Sequence, residues 1–229
     1  EPWFLETYGM PHVVLNGRAV TLPDASSPAY ALRTVGIHLP TPCHDERLTP
    51  TGTCRMCLVH IEGSPRPVPA CATPVTDGLR IETTSAELEE ARRGPLQLLA
   101  NRYPAEAART SPDKPFHREI AAHGLDAELL GQANATGIDR SHPFITVDMS
   151  RCIQCERCVR ICDDVQGQFV WHLRDRGFDT HVEPDGPSLL ASSCVSCGAC
   201  VDTCPTGAIE DATFDTLGAP TAWTQTVCP

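Results

Sequence analysis

The sequence predicts an α+β fold with two cysteine-bearing parts joined by a helical linker. Three observations carry that prediction. Residues 12–21 read as a β-hairpin, followed by a short helix and then a long loop rich in cysteine. No cysteine lies between Cys71 and Cys152, a stretch dominated by helical patterning. Residues 152–204 then repeat one cysteine spacing twice, so that eight of the thirteen cysteines form two copies of a single pattern.

Each element has a local reason. Asn16-Gly17 joins His12-Val-Val-Leu15 to Arg18-Ala-Val-Thr-Leu22; both residues tolerate positive φ, which a tight hairpin turn requires. Ser27-Pro28 has the form of an N-cap with proline in the first helical position, Ala29, Leu32 and Val35 give one apolar face, and Gly36 stops the helix. Strands are expected at 57–62 and 66–71, then at Leu79–Thr84, with a helix over Ala86–Asn101 that is charged on one side. The order hairpin, helix, cysteine loop is how a β-grasp ferredoxin begins.

The repeated pattern is the strongest chemical signal. Cys152-Ile-Gln-Cys155-Glu-Arg-Cys158-Val-Arg-Ile-Cys162 and Cys194-Val-Ser-Cys197-Gly-Ala-Cys200-Val-Asp-Thr-Cys204-Pro205 share the spacing x2-x2-x3. In the bacterial ferredoxin run, three close thiolates bind one cubane and the fourth crosses to the other. Cys152, Cys155, Cys158 and Cys204 are thus expected to hold one 4Fe–4S cluster, and Cys194, Cys197, Cys200 and Cys162 the second. A tight turn converges the thiolates and aims backbone N–H groups at the cluster sulfurs. Zinc sites use two Cys-x2-Cys pairs and leave the remaining spacings unexplained. A disulfide scaffold needs an oxidising compartment and suits a shorter chain. Earlier in the chain, Cys43, Cys54, Cys57 and Cys71 follow Cys-x10-Cys-x2-Cys-x13-Cys. A 2Fe–2S cluster needs two thiolates per iron and tolerates a long first gap, while a zinc site stays open on composition alone.

Composition narrows the partners. With 18 basic and 29 acidic residues the net charge is −11, which excludes a nucleic-acid footprint. No apolar run reaches the length of roughly 18 residues that spans a membrane. Thiols spaced as metal ligands, with no export signal at the start of the sequence, point to the cytoplasm. No Gly-x-Gly-x-x-Gly opens a helix, and no nucleophile with an acid–base partner stands out, so neither NAD nor flavin is expected on this chain.

Pro42-Cys43-His44, Gly52-Thr53-Cys54-Arg55-Met56-Cys57-Leu58-Val59 and Pro69-Ala70-Cys71 resemble the amino-terminal domain of the complex I iron–sulfur subunit family. That family includes diaphorase subunits of NAD-reducing hydrogenases, iron-only hydrogenases and alpha subunits of NAD-dependent formate dehydrogenases. Cys162-Asp-Asp-Val-Gln-Gly167 and Cys204-Pro-Thr-Gly-Ala-Ile209 fit it too. The resemblance implies a 2Fe–2S β-grasp ferredoxin-like domain at 10–84 with ligands Cys43, Cys54, Cys57 and Cys71. It also implies a helical linker at 85–141, a bacterial-type two-cluster 4Fe–4S domain with a hairpin insertion at 142–212, and a tail at 213–229. One departure stands out. The family places a His-x3-Cys-x2-Cys-x5-Cys box after the helix, whereas this chain has Leu99-Ala-Asn-Arg102-Tyr-Pro104 and no cysteine. That cluster is therefore expected to be absent, with His117 and His123 as ordinary surface histidines and 102–141 as plain helix and linker.

Gly167–Leu173 and Gly177–Val182 alternate around Arg174-Asp175-Arg176 and read as the hairpin, with Phe169, Trp171 and Phe178 packing it and shielding a cluster. Cys228, left over after three sets of four, reads in this chain as an isolated exposed thiol. Trp223-Thr-Gln-Thr-Val-Cys228-Pro229 also resembles the junction at which a molybdopterin domain begins in formate dehydrogenases, and the hypothesis from that resemblance is that the native polypeptide continues. The expected function is one-electron relay in a cytoplasmic oxidoreductase, first a formate dehydrogenase. Its partners would be a molybdopterin catalytic domain or subunit and a flavin, NAD-type or other acceptor subunit. The alternatives are the diaphorase subunit of an NAD-reducing hydrogenase and, in another class, a zinc-bound structural module.

Overall fold

The computed structural model describes residues 10–22, 28–125, 137–218 and 222. The N-cap at Ser27, the packing of the Phe178 side chain and the tail from Trp223 to Pro229 lie outside the described residues. The chain divides into two compact units, 1–99 and 100–229.

In the first unit, β1 (His12–Leu15) pairs antiparallel with β2 (Arg18–Thr21). Asn16 at φ 50° and Gly17 at φ 80° make the turn that the Asn-Gly pair predicts. Helix α1 (Pro28–Thr34) buries Ala29, Ala31 and Leu32. Val35, expected on that face, is 38% exposed: the helix ends at Thr34, and the turn into Gly36 (φ 83°) swings residue 35 outward. Strands β3 (Leu58–Ile61), β4 (Val68–Pro69) and β5 (Arg80–Glu82) complete a mixed sheet of order β2-β1-β5-β3-β4, with β1 and β5 parallel. Leu15, Val59 and Ile81 pack on Ala29 and Leu32 in one core. A sheet gripping one helix is the β-grasp layout.

Helix α2 (Ala86–Ala100) starts where the Ser85 hydroxyl accepts the Leu88 N–H at 3.3 Å. Its Arg92 is 5% exposed. The guanidinium donates to the carbonyls of Leu58 (3.1 and 2.5 Å) and Thr83 (2.8 Å) and pairs with Glu89 at 2.9 Å. A buried charge is tolerated when its donors are occupied in this way. The result ties α2 to the strand that leaves Cys57.

In the second unit, α3 (Ala105–Thr110) and α4 (Pro115–Ala122) precede β6 (Ile138–Asp139), β7 (Ile145–Asp148), α5 (Arg157–Arg160), β8 (Trp171–Arg174), β9 (His181–Pro184), α6 (Ala199–Thr203), β10 (Ile209–Asp211) and α7 (Phe214–Leu217). Strands β10, β7 and β6 form an antiparallel sheet, and β8 and β9 a two-stranded ribbon with Trp171 opposite Pro184. Helix α5 widens into a π-helical turn over Ile161–Val165, which carries Cys162. Trp171 is 1% exposed, as expected of a shielding ring, but Phe169 is 60% exposed. Phe169 precedes the strand at φ 54°, so its side chain leaves the face that buries Trp171.

His117 corrects another expectation. It is 3% exposed and buried among Tyr103 and Phe116, whose ring centroids lie 5.3 and 6.5 Å away. The apolar face of α4 (Phe116, Ile120) turns inward and takes residue 117 with it, and Phe116 N–H donates to the Pro205 carbonyl at 3.1 Å. His123 is half-buried, its Nδ1–H donating to the Glu119 carbonyl at 3.0 Å.

Candidate metal centres

The first nest is built where β3 and β4 leave the sheet. Cys43, Cys57 and Cys71 are each 1% exposed, and Cys54 is half-buried. Gly52 at φ 64° lets the loop pass close to β4: a Cβ there would lie 3.2 Å from Pro69 Cγ. Arg55 at φ 57° turns Cys54 back towards Cys57, and the Ala70 N–H donates to the Cys57 carbonyl at 2.9 Å. The four thiols touch one another in sequence. Cys43 bonds Cys54 and Cys71, and Cys71 bonds Cys57. Bonding to Cys43, with burial, pushes the Cys54 thiol far up, and bonding to Cys43 and Cys57 does the same for Cys71. Donation from Cys71 pulls Cys57 down. Sulfurs this crowded carry multiple negative charges only beside a strong cation.

Among the described residues the other eight cysteines gather in two cavities. One is lined by Cys152, Cys155, Cys158 and Cys204, with Ile153, Val182 and Ile209. The other is lined by Cys162, Cys194, Cys197 and Cys200, with Val170 and Trp171. In each, the fourth cysteine comes from the opposite run. The two backbones match: Gln154 (φ 55°) and Glu156 (φ 60°) in the first correspond to Ser196 (φ 62°) and Gly198 (φ 77°) in the second. Gln154 N–H donates to Cys152 Sγ and Ser196 N–H to Cys194 Sγ, both at 3.4 Å. The left-handed residues aim these N–H groups at sulfur, at a conformational cost of about 1–2 kcal/mol for each residue other than glycine.

Burial pushes Cys152 up to about 11 and Cys155 up to about 12, and lifts Cys158 well above the usual thiol range. Cys200 is pushed up to about 12 by burial, against hydrogen bonding from Trp171. Burial also raises Cys162, against N–H bonds from Val170 (3.4 Å) and Trp171. The donor set is uniformly thiol, the soft ligand that suits iron–sulfur clusters and zinc. Among the described residues no three His, Cys, Asp or Glu side chains close on a single-ion point.

Some residues around the nests leave no mark in the sequence. The Thr206 hydroxyl lies 3.6 Å from Cys204 Sγ, and His142, 5% exposed, reaches Ser196 Oγ at 2.9 Å. No spacing reveals them, because their roles arise from contacts between distant segments.

Comparison with known proteins bears on these nests. Residues 11–86 match the family model of a 2Fe–2S iron–sulfur cluster binding domain, and residues 142–210 match the ferredoxin-like domain of NADH-quinone oxidoreductase subunit 3. The chain joins these two iron–sulfur domains. NADPH-Fe(3+) oxidoreductase subunit alpha of Geobacter sulfurreducens is 33% identical over 96% of this chain and 26% of its own length. NADP-reducing hydrogenase subunit HndD of Solidesulfovibrio fructosivorans is 33% identical over 87% and 36%. The mitochondrial NADH dehydrogenase (ubiquinone) iron-sulfur protein 1 of Solanum tuberosum is 30% identical over 88% and 28%. The chain thus spans 26% to 36% of the length of these relatives. A crystal structure of NAD+-reducing [NiFe]-hydrogenase shares the fold, with a TM-score of 0.77 at 24% identity over 89% of this chain and 88% of that one. Among the described residues no helix is long and apolar enough to cross a membrane.

Proposed function

We propose that this chain relays single electrons through one 2Fe–2S cluster on Cys43, Cys54, Cys57 and Cys71 and two 4Fe–4S clusters. The cubanes would sit on Cys152, Cys155, Cys158 and Cys204 and on Cys194, Cys197, Cys200 and Cys162. The observation that carries this reading is the exchange of Cys204 and Cys162 between the two cavities, which a pair of independent zinc knuckles does not need. The linkage of all four thiols, Cys54 to Cys43, Cys43 to Cys71 and Cys71 to Cys57, also supports one shared centre in the first unit. When bound, the clusters supply one-electron chemistry with little ligand movement. The protein fixes the sulfurs, directs N–H groups at them and excludes water.

The relatives support a host of the NAD(P)-linked oxidoreductase class, with a flavin or NAD-type subunit as partner. Within it we propose a cytoplasmic, molybdopterin-dependent formate dehydrogenase, on the strength of Trp223 to Pro229. The 33% identity to a hydrogenase subunit favours a hydrogenase host as the second reading. Iron and molybdenum analysis with EPR of the anaerobically purified native complex tests both levels. About ten irons per chain is the expected count; negligible iron removes the relay. Appearance of the reduced-cluster EPR signals on addition of formate supports the first host, and their appearance with hydrogen but not with formate supports the second.

A further inference from the structure

The segment that lacks the family's cysteine box is filled by a buried polar chain that ends beside Cys204. His117 Nδ1 lies 2.5 Å from the Ser111 carbonyl, which only accepts, so Nδ1 carries a proton. Nε2 lies 2.5 Å from the Tyr103 hydroxyl, which in turn lies 3.3 Å from the Thr206 carbonyl. With neutral His117, Tyr103 donates to Nε2 and the Thr206 carbonyl loses that donor. With Nε2 protonated, the ring donates to Tyr103 and the hydroxyl turns its single proton to Thr206. Thr206 belongs to the loop Cys204-Pro205-Thr206, and its own hydroxyl faces Cys204 Sγ at 3.6 Å. His117 and Tyr103 are therefore hydrogen-bonded in both protonation states, and the states differ in what is presented to the loop that carries Cys204.

We propose that His117, acting through Tyr103, is a proton-acceptor site coupled to the redox state of the centre held by Cys152, Cys155, Cys158 and Cys204. This rests on the iron–sulfur reading above. The balance is one electron in at that centre from an upstream one-electron donor, and one solvent proton in at His117 Nε2, where an N–H bond forms. Reoxidation releases both.

The charges around the ring make it responsive. Lys114 and Arg151 disfavour a proton on His117, and Glu210 favours one. These groups are themselves linked, Lys114 to Glu210 at 2.8 Å and Arg151 to Glu210 at 3.6 Å and to Asp148 at 3.0 Å. Charge at Cys204 and Asp148 reaches Tyr103 electrostatically. Burial holds the imidazole below its usual range, and a negative charge added nearby favours its protonated form.

The test is an EPR-monitored redox titration of the native cluster-loaded protein between about pH 5 and about pH 8, the range in which histidine charge changes. The cubane under study is the one whose signal a Cys204→Ala variant lacks. Its midpoint potential should fall with rising pH at a slope approaching one proton per electron over part of that range. His117→Gln should flatten the slope while leaving the other cubane's titration unchanged. Tyr103→Phe, which keeps the ring and removes the hydroxyl, should reduce the slope and covers the case in which His117→Gln does not fold. A pH-independent wild-type potential, or an unchanged slope in either variant, overturns the proposal. A wild type without any cubane signal fails the relay reading instead.

Discussion

Around Cys152–Cys158 and around Cys194–Cys200 the chain makes the same turn twice, with two left-handed residues in each and one N–H to the leading sulfur. The surroundings differ. The first cavity is roofed by Val182, Pro205 and Ile209, all buried. The second has Cys197 exposed at its rim, with Val195 58% exposed next to it. A repeated ligand run therefore fixes local geometry, while the solvent and dielectric around each nest come from segments that the repeat does not encode. Added negative charge is disfavoured by burial, so the second nest should accept an electron at the higher potential. Equal midpoint potentials for the two cubanes would erase the distinction.

The largest effect should come from the crossing ligands. Cys162→Ala should lower iron by one cubane, about four irons, and leave the EPR signature of Cys197→Ala rather than that of Cys155→Ala. Cys204→Ala should do the reverse. If Cys162→Ala instead matched Cys155→Ala, each run would be ligating its own metal and the exchange would be wrong.

Trp171 lies at the second cavity alone, 1% exposed, and its ring N–H bonds Cys200. Trp171→Ala removes that donor and opens a void, at an expected cost of about 3–5 kcal/mol. Denaturant unfolding of the loaded protein should register it, and chelator should strip the second cubane before the first. Equal rates of loss would mean that the ring packs the ribbon without guarding the nest.

Alkali should distinguish the cavities in iron-free protein. Raised thiols favour the folded, protonated form, a stability present below the ordinary thiol value near 9 and lost as pH rises through about 11 to about 12 for Cys152 and Cys155. Cys158 adds to this in the first cavity, while Cys200, raised to about 12, acts in the second. Urea midpoints of the empty protein should fall between pH 8 and pH 11 (about those values). Cys155→Ala and Cys200→Ala, each removing one thiol raised to about 12, should blunt the fall to a similar degree, and removing Cys152 together with Cys155 should blunt it more.

Much of this is legible in the sequence because spacing is local. The hairpin at Asn16-Gly17, helix α1 and both cysteine runs depend on residues within one turn of each other. In the cavities Cys204 lies with Cys152, Cys155 and Cys158, and Cys162 with Cys194, Cys197 and Cys200. What escapes depends on segments far apart in sequence. Tyr103 meets Thr206 across 103 positions and His142 meets Ser196 across 54, and neither leaves a periodic trace. His117 escapes because a polar residue next to an apolar helix face reads as solvent-facing until its partner is known. Phe169 escapes for a related reason: alternation assigns it to the buried side, and only a left-handed φ reveals that it leaves the strand.

The smallest effect tests whether the repeated turn is the same turn energetically. Glu156 and Gly198 occupy matching positions as the left-handed residues that open α5 and α6. A Cβ at Gly198 would meet nothing within 4 Å, so Gly198→Ala carries a conformational penalty and no clash. That penalty is about 1–2 kcal/mol for a left-handed residue, partly offset because alanine loses less backbone freedom on folding than glycine. Glu156→Gly reverses these contributions. Gly198→Ala should destabilise by about 1 kcal/mol and Glu156→Gly should be neutral to stabilising by up to about 1 kcal/mol. Thermal unfolding of the loaded protein reads both. If Glu156→Gly destabilised instead, the carboxylate would be contributing to the first nest in a way that glycine at 198 does not in the second, and the two turns would be alike in shape alone.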